Sequence, residues 1–249
     1  MSQSIPLKLN RRLALAGLLG LPLSACETLD PAIMEGILGS GALTQADAAL
    51  GIREALGNGV LSALGIVGRD GGFLNDNLIH IPLPKSLQSV QSVMSSIGAG
   101  GLLNNLEVQL NRGAEAAAPV AKDIFLEAIR DLTIQDAIGI VKGADNAATV
   151  YLQDKTTVGL TDLFSPIMEN ALGQTGALQL FDQVAASVKN VPFAPQLGAD
   201  AKRDLIGHGV EYALGGVFHY VAEEEKAIRE NPAKRTSEIL RRVFGSGIV

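Results

Sequence analysis

The chain has 249 residues, of which 47% are hydrophobic but only 4% aromatic, with no Trp, a single Cys and a formal charge of −6. The acidic balance argues against nucleic acid as a partner, and one cysteine excludes an intrachain disulfide framework. A core that must then rest on Ala, Leu, Val and Ile suits closely packed helices, and the length is enough for one large domain.

At the N-terminus, Lys8, Arg11 and Arg12 precede Leu13 to Ala25, a run that is apolar or small apart from Ser24. A positive segment followed by a short apolar core is the order of a secretory signal peptide. The core is too short for a spanning helix, which needs about 20 apolar residues, so residues 1–25 are expected to be removed. Leu23-Ser24-Ala25-Cys26 looks like a bacterial lipobox, which makes Cys26 the expected lipidation site and first residue of the mature chain. Two or three acyl chains, at about 0.8 kcal/mol per buried methylene, hold a protein stably on a bilayer. Glu27 replaces the aspartate that in enterobacteria tends to retain lipoproteins in the inner membrane. The expected location is therefore the periplasmic face of the outer membrane. Removing the leader leaves 17 basic against 26 acidic residues, a formal charge of −9.

Beyond the lipidated N-terminus, residues 26–43 include a short helix over about 31–38, opened by Asp30-Pro31. Residues 44–245 form one helical domain, and 246–249 a tail. Thr44-Gln45-Ala46-Asp47 resembles a capping box, with Asp in the place of Glu or Gln, and opens a helix to about 67. Gly57 and Gly59 are expected to bend or break it. In residues 68–84, Ile79, Ile81 and Leu83 alternate with His80, Pro82 and Pro84; the prolines lack amides for a sheet ladder, so the segment reads as an extended strap across helices. A second strap, 191–198, is pinned by Phe193.

Helices are expected over 85–97, 102–131, 134–142 capped by Thr133 with Asp136, 146–156 capped by Asp145, 162–173, 177–189 and 199–230. Asn231-Pro232 caps a last one to about 244. The clearest pattern is that of 102–131, where Leu103, Leu106, Leu110, Ala114, Ala117, Ala121, Ile124, Ala128 and Leu132 step by three or four. The alanines imply a close neighbouring helix, and Pro119 should kink the helix unless the chain restarts there. The fold class is all-α, a single multi-helix bundle with two Pro-containing straps.

Chemical motifs are sparse. The Gly-x-Gly runs at 57–59, 98–100 and 207–209 lack the third glycine and preceding strand of a dinucleotide site, and there is no G-x-S-x-G elbow. No cofactor is expected. His208, Glu211, His219 and Glu223 share one helical face, but eleven residues separate the histidines by about 16 Å, too far to share an ion. His219 and Glu223 can supply two ligands only if another helix adds more. Asp70, Asn75 and Asp76 lack calcium-loop spacing, and no metal site is expected. Asn111, Glu115 and Lys122 fall in line at the border of the apolar stripe, with Arg112 able to reach Glu115. This cluster is either a structural ion pair orienting two helices or the polar end of a ligand pocket. Glu225 and Arg229, four apart, read as a solvated pair.

The runs "LTQADAALGIREAL", "LNRGAEAAAPVAKDIFLEAI", "TIQDAIGIVKGADNAAT" and "AEEEKAIRENPAKRTSEILRRVFG" resemble those of a bacterial family known only as domain of unknown function 4197, over about residues 43–245. The resemblance implies a helical envelope protein, often with a lipoprotein signal, and supplies no catalytic residues. Gly113 stands where similar sequences often have Ala, a change expected to loosen the helix. The leading expectation is a lipid-anchored envelope protein that binds a partner protein or an apolar ligand. The alternative is an envelope hydrolase using carboxylates such as Glu115 and Glu223.

Overall fold

The computed structural model describes residues 44–96, 98, 100–191, 197–235, 237 and 241; the expected helix over 31–38, Phe193 and most of the second strap lie outside them. Helix α1, Gln45–Val67, opens with a complete capping box: Asp47 N–H donates to Thr44 Oγ1 at 3.1 Å, and Thr44 N–H donates to Asp47 Oδ2 at 3.0 Å. The expected break at Gly57 and Gly59 is absent, because Ile52, Leu56, Val60, Ala63 and Val67 keep one buried face throughout. The strap follows, turn-rich over 68–79 and without helix or strand over 80–84. Helix α2, Lys85–Ser96, leads to α3, Gly101–Ala117. The chain then restarts around Pro119, through a 3₁₀ turn, Ala118–Ala121, into α4, Lys122–Arg130.

Helix α5, Ile134–Lys142, starts on the Thr133–Asp136 capping box. Helix α6, Ala147–Gln174, replaces the two helices expected over 146–156 and 162–173. The Thr- and Gly-containing run between those ranges does not break it. Thr156, Thr157, Thr161 and Ser165 each donate their hydroxyl to the carbonyl four residues back, at 2.6–2.8 Å, so they satisfy themselves within the helix. Pro166 is also accommodated inside it. Helix α7, Ala177–Val188, begins after Gly176, whose φ of 83° is open to glycine at little cost. Helix α8, Ala201–Glu230, ends where Asn231 accepts from Ala233 N–H in a 3₁₀ turn, Pro232–Lys234. The described residues contain no strand, and the protein is all-α.

The core lies where α8 packs against α1 and α6, and α3 against α6 and α7. Ala114, Ala117, Ala118 and Ala121 are fully buried, as a close helical approach requires. Gly113 belongs to the same contact: a Cβ there would lie 2.6 Å from Leu172 Cδ2 of α6. Its lack of a side chain lets the helices meet, rather than merely loosening α3. On α8, Gly216 gives the same clearance to the Phe73 ring of the strap, 2.6 Å from where a Cβ would stand. Phe125 and Phe218 meet edge to face, their centroids 5.5 Å apart.

Candidate functional site

The polar residues singled out on α3 lie under the strap. Glu107, Asn111 and Glu115, spaced by four, present one row of side chains. Glu115 Oε1 accepts from Phe73 N–H at 3.1 Å and Leu74 N–H at 3.0 Å, while Oε2 accepts from Arg112 Nη1 at 2.9 Å. Arg112 also pairs with Asp70 on the strap. Asn111 imitates a strand neighbour: its Oδ1 accepts from Ile81 N–H at 2.9 Å and its Nδ2 donates to Ile81 O at 2.8 Å. His80 bridges Leu74 O, 3.1 Å from Nδ1, and Glu107 Oε1, 2.8 Å from Nε2.

The strap has no sheet to satisfy its backbone, so α3 supplies the missing partners. Helix α8 adds two more. His208 Nε2 donates to Pro82 O at 2.7 Å, and Tyr220 donates its hydroxyl to Asp76. The Tyr220 hydrogen bond holds the Asp76 carboxyl below its ordinary value, helped by the Leu78 and Ile79 amides and opposed by burial. The same bond, followed by burial, pushes Tyr220 up. Phe73, Ile81 and Leu83 sit fully buried beneath these bonds.

Lys122 does not join the row. It is exposed and lines a groove with Leu61, Leu64, Gly65, Gly68, Arg69 and Pro119. The reason is the 3₁₀ turn at 118–121, which advances about 120° per residue instead of 100° and so rotates everything after it out of the helical-wheel line.

A second polar centre was missed as such by sequence reasoning. Glu225 and Arg229 are not solvated; their side chains are each 7% exposed and joined at 2.8 Å. Glu225 accepts from Ala148 N–H at 3.0 Å, Thr149 N–H at 2.8 Å and Thr149 Oγ1 at 2.8 Å. It therefore caps the start of α6 from a distant helix, where the local Asn146 makes no side-chain cap and Asp145 is not the N-cap residue. Arg229 Nη2 donates to Ile140 O at 3.0 Å, tying in the end of α5. The signal was in the periodicity: Val210, Leu214, Val217, Val221, Glu225 and Ile228 step by three or four, which places Glu225 in the apolar stripe. Beside this pair lies a small void of about 10 Å³, room for no more than about one water.

The remaining candidates are accounted for locally. Asp70, Asn75 and Asp76 do not form one site: Asp70 pairs with Arg112, and Asp76 accepts from Tyr220 and Leu78 N–H. The His208 and Tyr212 rings meet at a tilt of 38°, their centroids 4.3 Å apart, and His219 meets Tyr220 edge-on. Among the described residues no three His, Cys, Asp or Glu side chains are grouped to hold a metal ion. An open cleft of about 360 Å³ between α4 and α6 is lined by Glu127, Asp131, Asp136, Tyr151 and Lys155. In it, Tyr151 donates to Asp136 at 3.3 Å. The Thr133 hydroxyl and amide hold Asp136 low, whereas burial and then Asp136 push Tyr151 up.

The two buried carboxylates, Glu115 and Glu225, thus join chain segments that are far apart in sequence and leave no oxygen without a donor. Comparison with curated proteins and with solved structures finds no match for this chain. The family described as protein of unknown function (DUF4197) matches residues 42–245, most of the chain and all of the described residues; the chain belongs to that family.

Proposed function

We propose that the protein is a lipid-anchored cell-envelope module, held through Cys26 at the periplasmic face of the outer membrane, whose helical domain binds a partner protein at its surface. The observation that carries the binding reading is the saturation of the buried carboxylates. Both oxygens of Glu115 and of Glu225 already accept from backbone amides, a hydroxyl or arginine. A carboxylate so engaged is a poor general base or nucleophile, which weighs against an envelope hydrolase. Glu223, the other acid considered for that role, is exposed on α8. The void of about 10 Å³ beside Glu225 is too small to hold an apolar ligand against that carboxylate. The anchor rests on Leu23-Ser24-Ala25-Cys26 and the basic, then apolar, residues before it.

Metabolic labelling with a palmitate analogue tests the anchor. The full chain should incorporate label and sediment with membranes, whereas Cys26→Ser should do neither. An unlabelled full chain would end this reading. The choice between binding and catalysis is tested by Glu115→Gln and Glu225→Gln, which should lower the melting temperature. Loss of a hydrolytic activity at unchanged melting temperature would favour the enzyme instead.

A further inference from the structure

We infer that the outward face of α1 is a self-complementary contact for a second copy of this chain, packed antiparallel about a two-fold axis at Leu61. Helix α1 is largely apolar, with a mean hydropathy of 1.2 over 18 residues, yet only 44% of that stretch is buried. A helix of this kind is ordinarily covered. Its uncovered side carries Leu50, 56% exposed, and Leu61, 45% exposed, eleven residues and thus about 20° apart on the wheel. Four residues to either side of Leu61 stand Gly57 and Gly65, where an added Cβ would meet nothing within 4 Å. A leucine between two open notches is a shape that fits its own copy. About a two-fold axis, residues four before and four after Leu61 face each other, so each Leu61 packs beside its counterpart over the partner's glycines.

Charge selects the same arrangement. Glu54 lies seven residues before Leu61, about 10 Å from the axis. The symmetry sets it opposite Gly68 of the copy, where Arg69 and Lys122 line a groove of about 320 Å³ with Pro119 and Leu64. Among the described residues the side chains of Glu54, Arg69 and Lys122 make no hydrogen bond or ion pair. Two symmetry-related acid-to-cation contacts therefore close around the apolar centre. An anionic bilayer fits this face less well, since Glu54 stands in it and the notches suit a helix rather than lipid.

The test uses the full chain, extracted in mild detergent, with Leu61→Cys and, as a control, Val158→Cys on the 77% exposed Val158 of α6. After mild oxidation, Leu61→Cys should run at twice the monomer mass, and Val158→Cys and the wild-type chain should not. Adding Glu54→Lys to Leu61→Cys should lower the linked fraction about tenfold, the scale of reversing two exposed ion pairs; adding Lys122→Glu as well should restore it. A monomeric Leu61→Cys protein that melts like wild type would overturn the proposal. So would flotation with anionic phosphatidylglycerol vesicles that depends on Leu61 while no dimer forms. Palmitate labelling at Cys26 is decided separately, so failure of the anchor and failure of this contact give different results.

Discussion

Glu225→Ala is the perturbation whose cost the structure defines best. It deletes the acceptor for two backbone amides and one hydroxyl at the start of α6, and the carboxylate facing the buried guanidinium of Arg229. A buried donor left unsatisfied costs about 1–3 kcal/mol, and breaking a buried ion pair about 3–5 kcal/mol. These terms overlap, because the same oxygens serve both, so the expected loss is about 4 kcal/mol in total. For a domain of this size each kcal/mol moves the midpoint by about 2–4 °C, giving a fall of about 8–16 °C. Thermal unfolding followed by circular dichroism reads this directly. Glu225→Gln keeps one acceptor and should fall about half as far. Hydrogen exchange should show faster opening at Ala148 and Thr149 than at the far end of α6. A fall of less than about 2 °C for Glu225→Ala would refute the view that this carboxylate holds α5, α6 and α8 together.

The other expectations concern the strap and the helix crossing. Asn111→Ala removes both bonds to Ile81 and should cost about 2 kcal/mol, with proteolysis and hydrogen exchange rising over 68–84 before the rest of the domain. Gly113→Ala would raise helix propensity on an open surface, but with Leu172 Cδ2 at 2.6 Å it should destabilise by about 1–3 kcal/mol; Leu172→Ala in the same chain should recover part of that loss in a denaturant titration. Asp76 is depressed below its ordinary 3.8 in the folded state, so its contribution is present above that value and lost as pH falls through the lower folded value. Tyr220 is raised above 10.0, so its contribution is complete below pH 10 and lost as pH climbs toward the folded value. Stability measured against pH should therefore fall less steeply at both extremes in Tyr220→Phe than in wild type; identical slopes would count against the bond.

Much of this architecture was legible in the sequence because local rules and global packing agree. The boxes at Thr44 and Thr133 start α1 and α5 as their spacing requires, and the alanine stripe of α3 lies at a close helix crossing. The failures have identifiable physics. The gap expected between helices 146–156 and 162–173 is absent, because hydroxyls bonding back along the helix and a buried face with Leu152, Leu160 and Phe164 carry α6 through. Glu225 was read by its i,i+4 partner rather than by its place in the apolar stripe, which hid its long-range role. Asn111, Arg112 and Glu115 were recognised as a unit, but their ligand was hidden. It is the backbone of a segment some thirty to forty residues earlier, and no helical wheel shows that. Lys122 was misplaced for a single reason, the phase change in the 3₁₀ turn before it.

The proposed role stands or falls on the N-terminus of the mature protein. Mass spectrometry of the N-terminal peptide from membranes of the native host tests it most directly. The expected species begins at Cys26 and carries a diacylglyceryl group on sulfur, with or without an acyl chain on the amine. A peptide with a free thiol at Cys26, or one still attached to residues 1–25, would contradict the account.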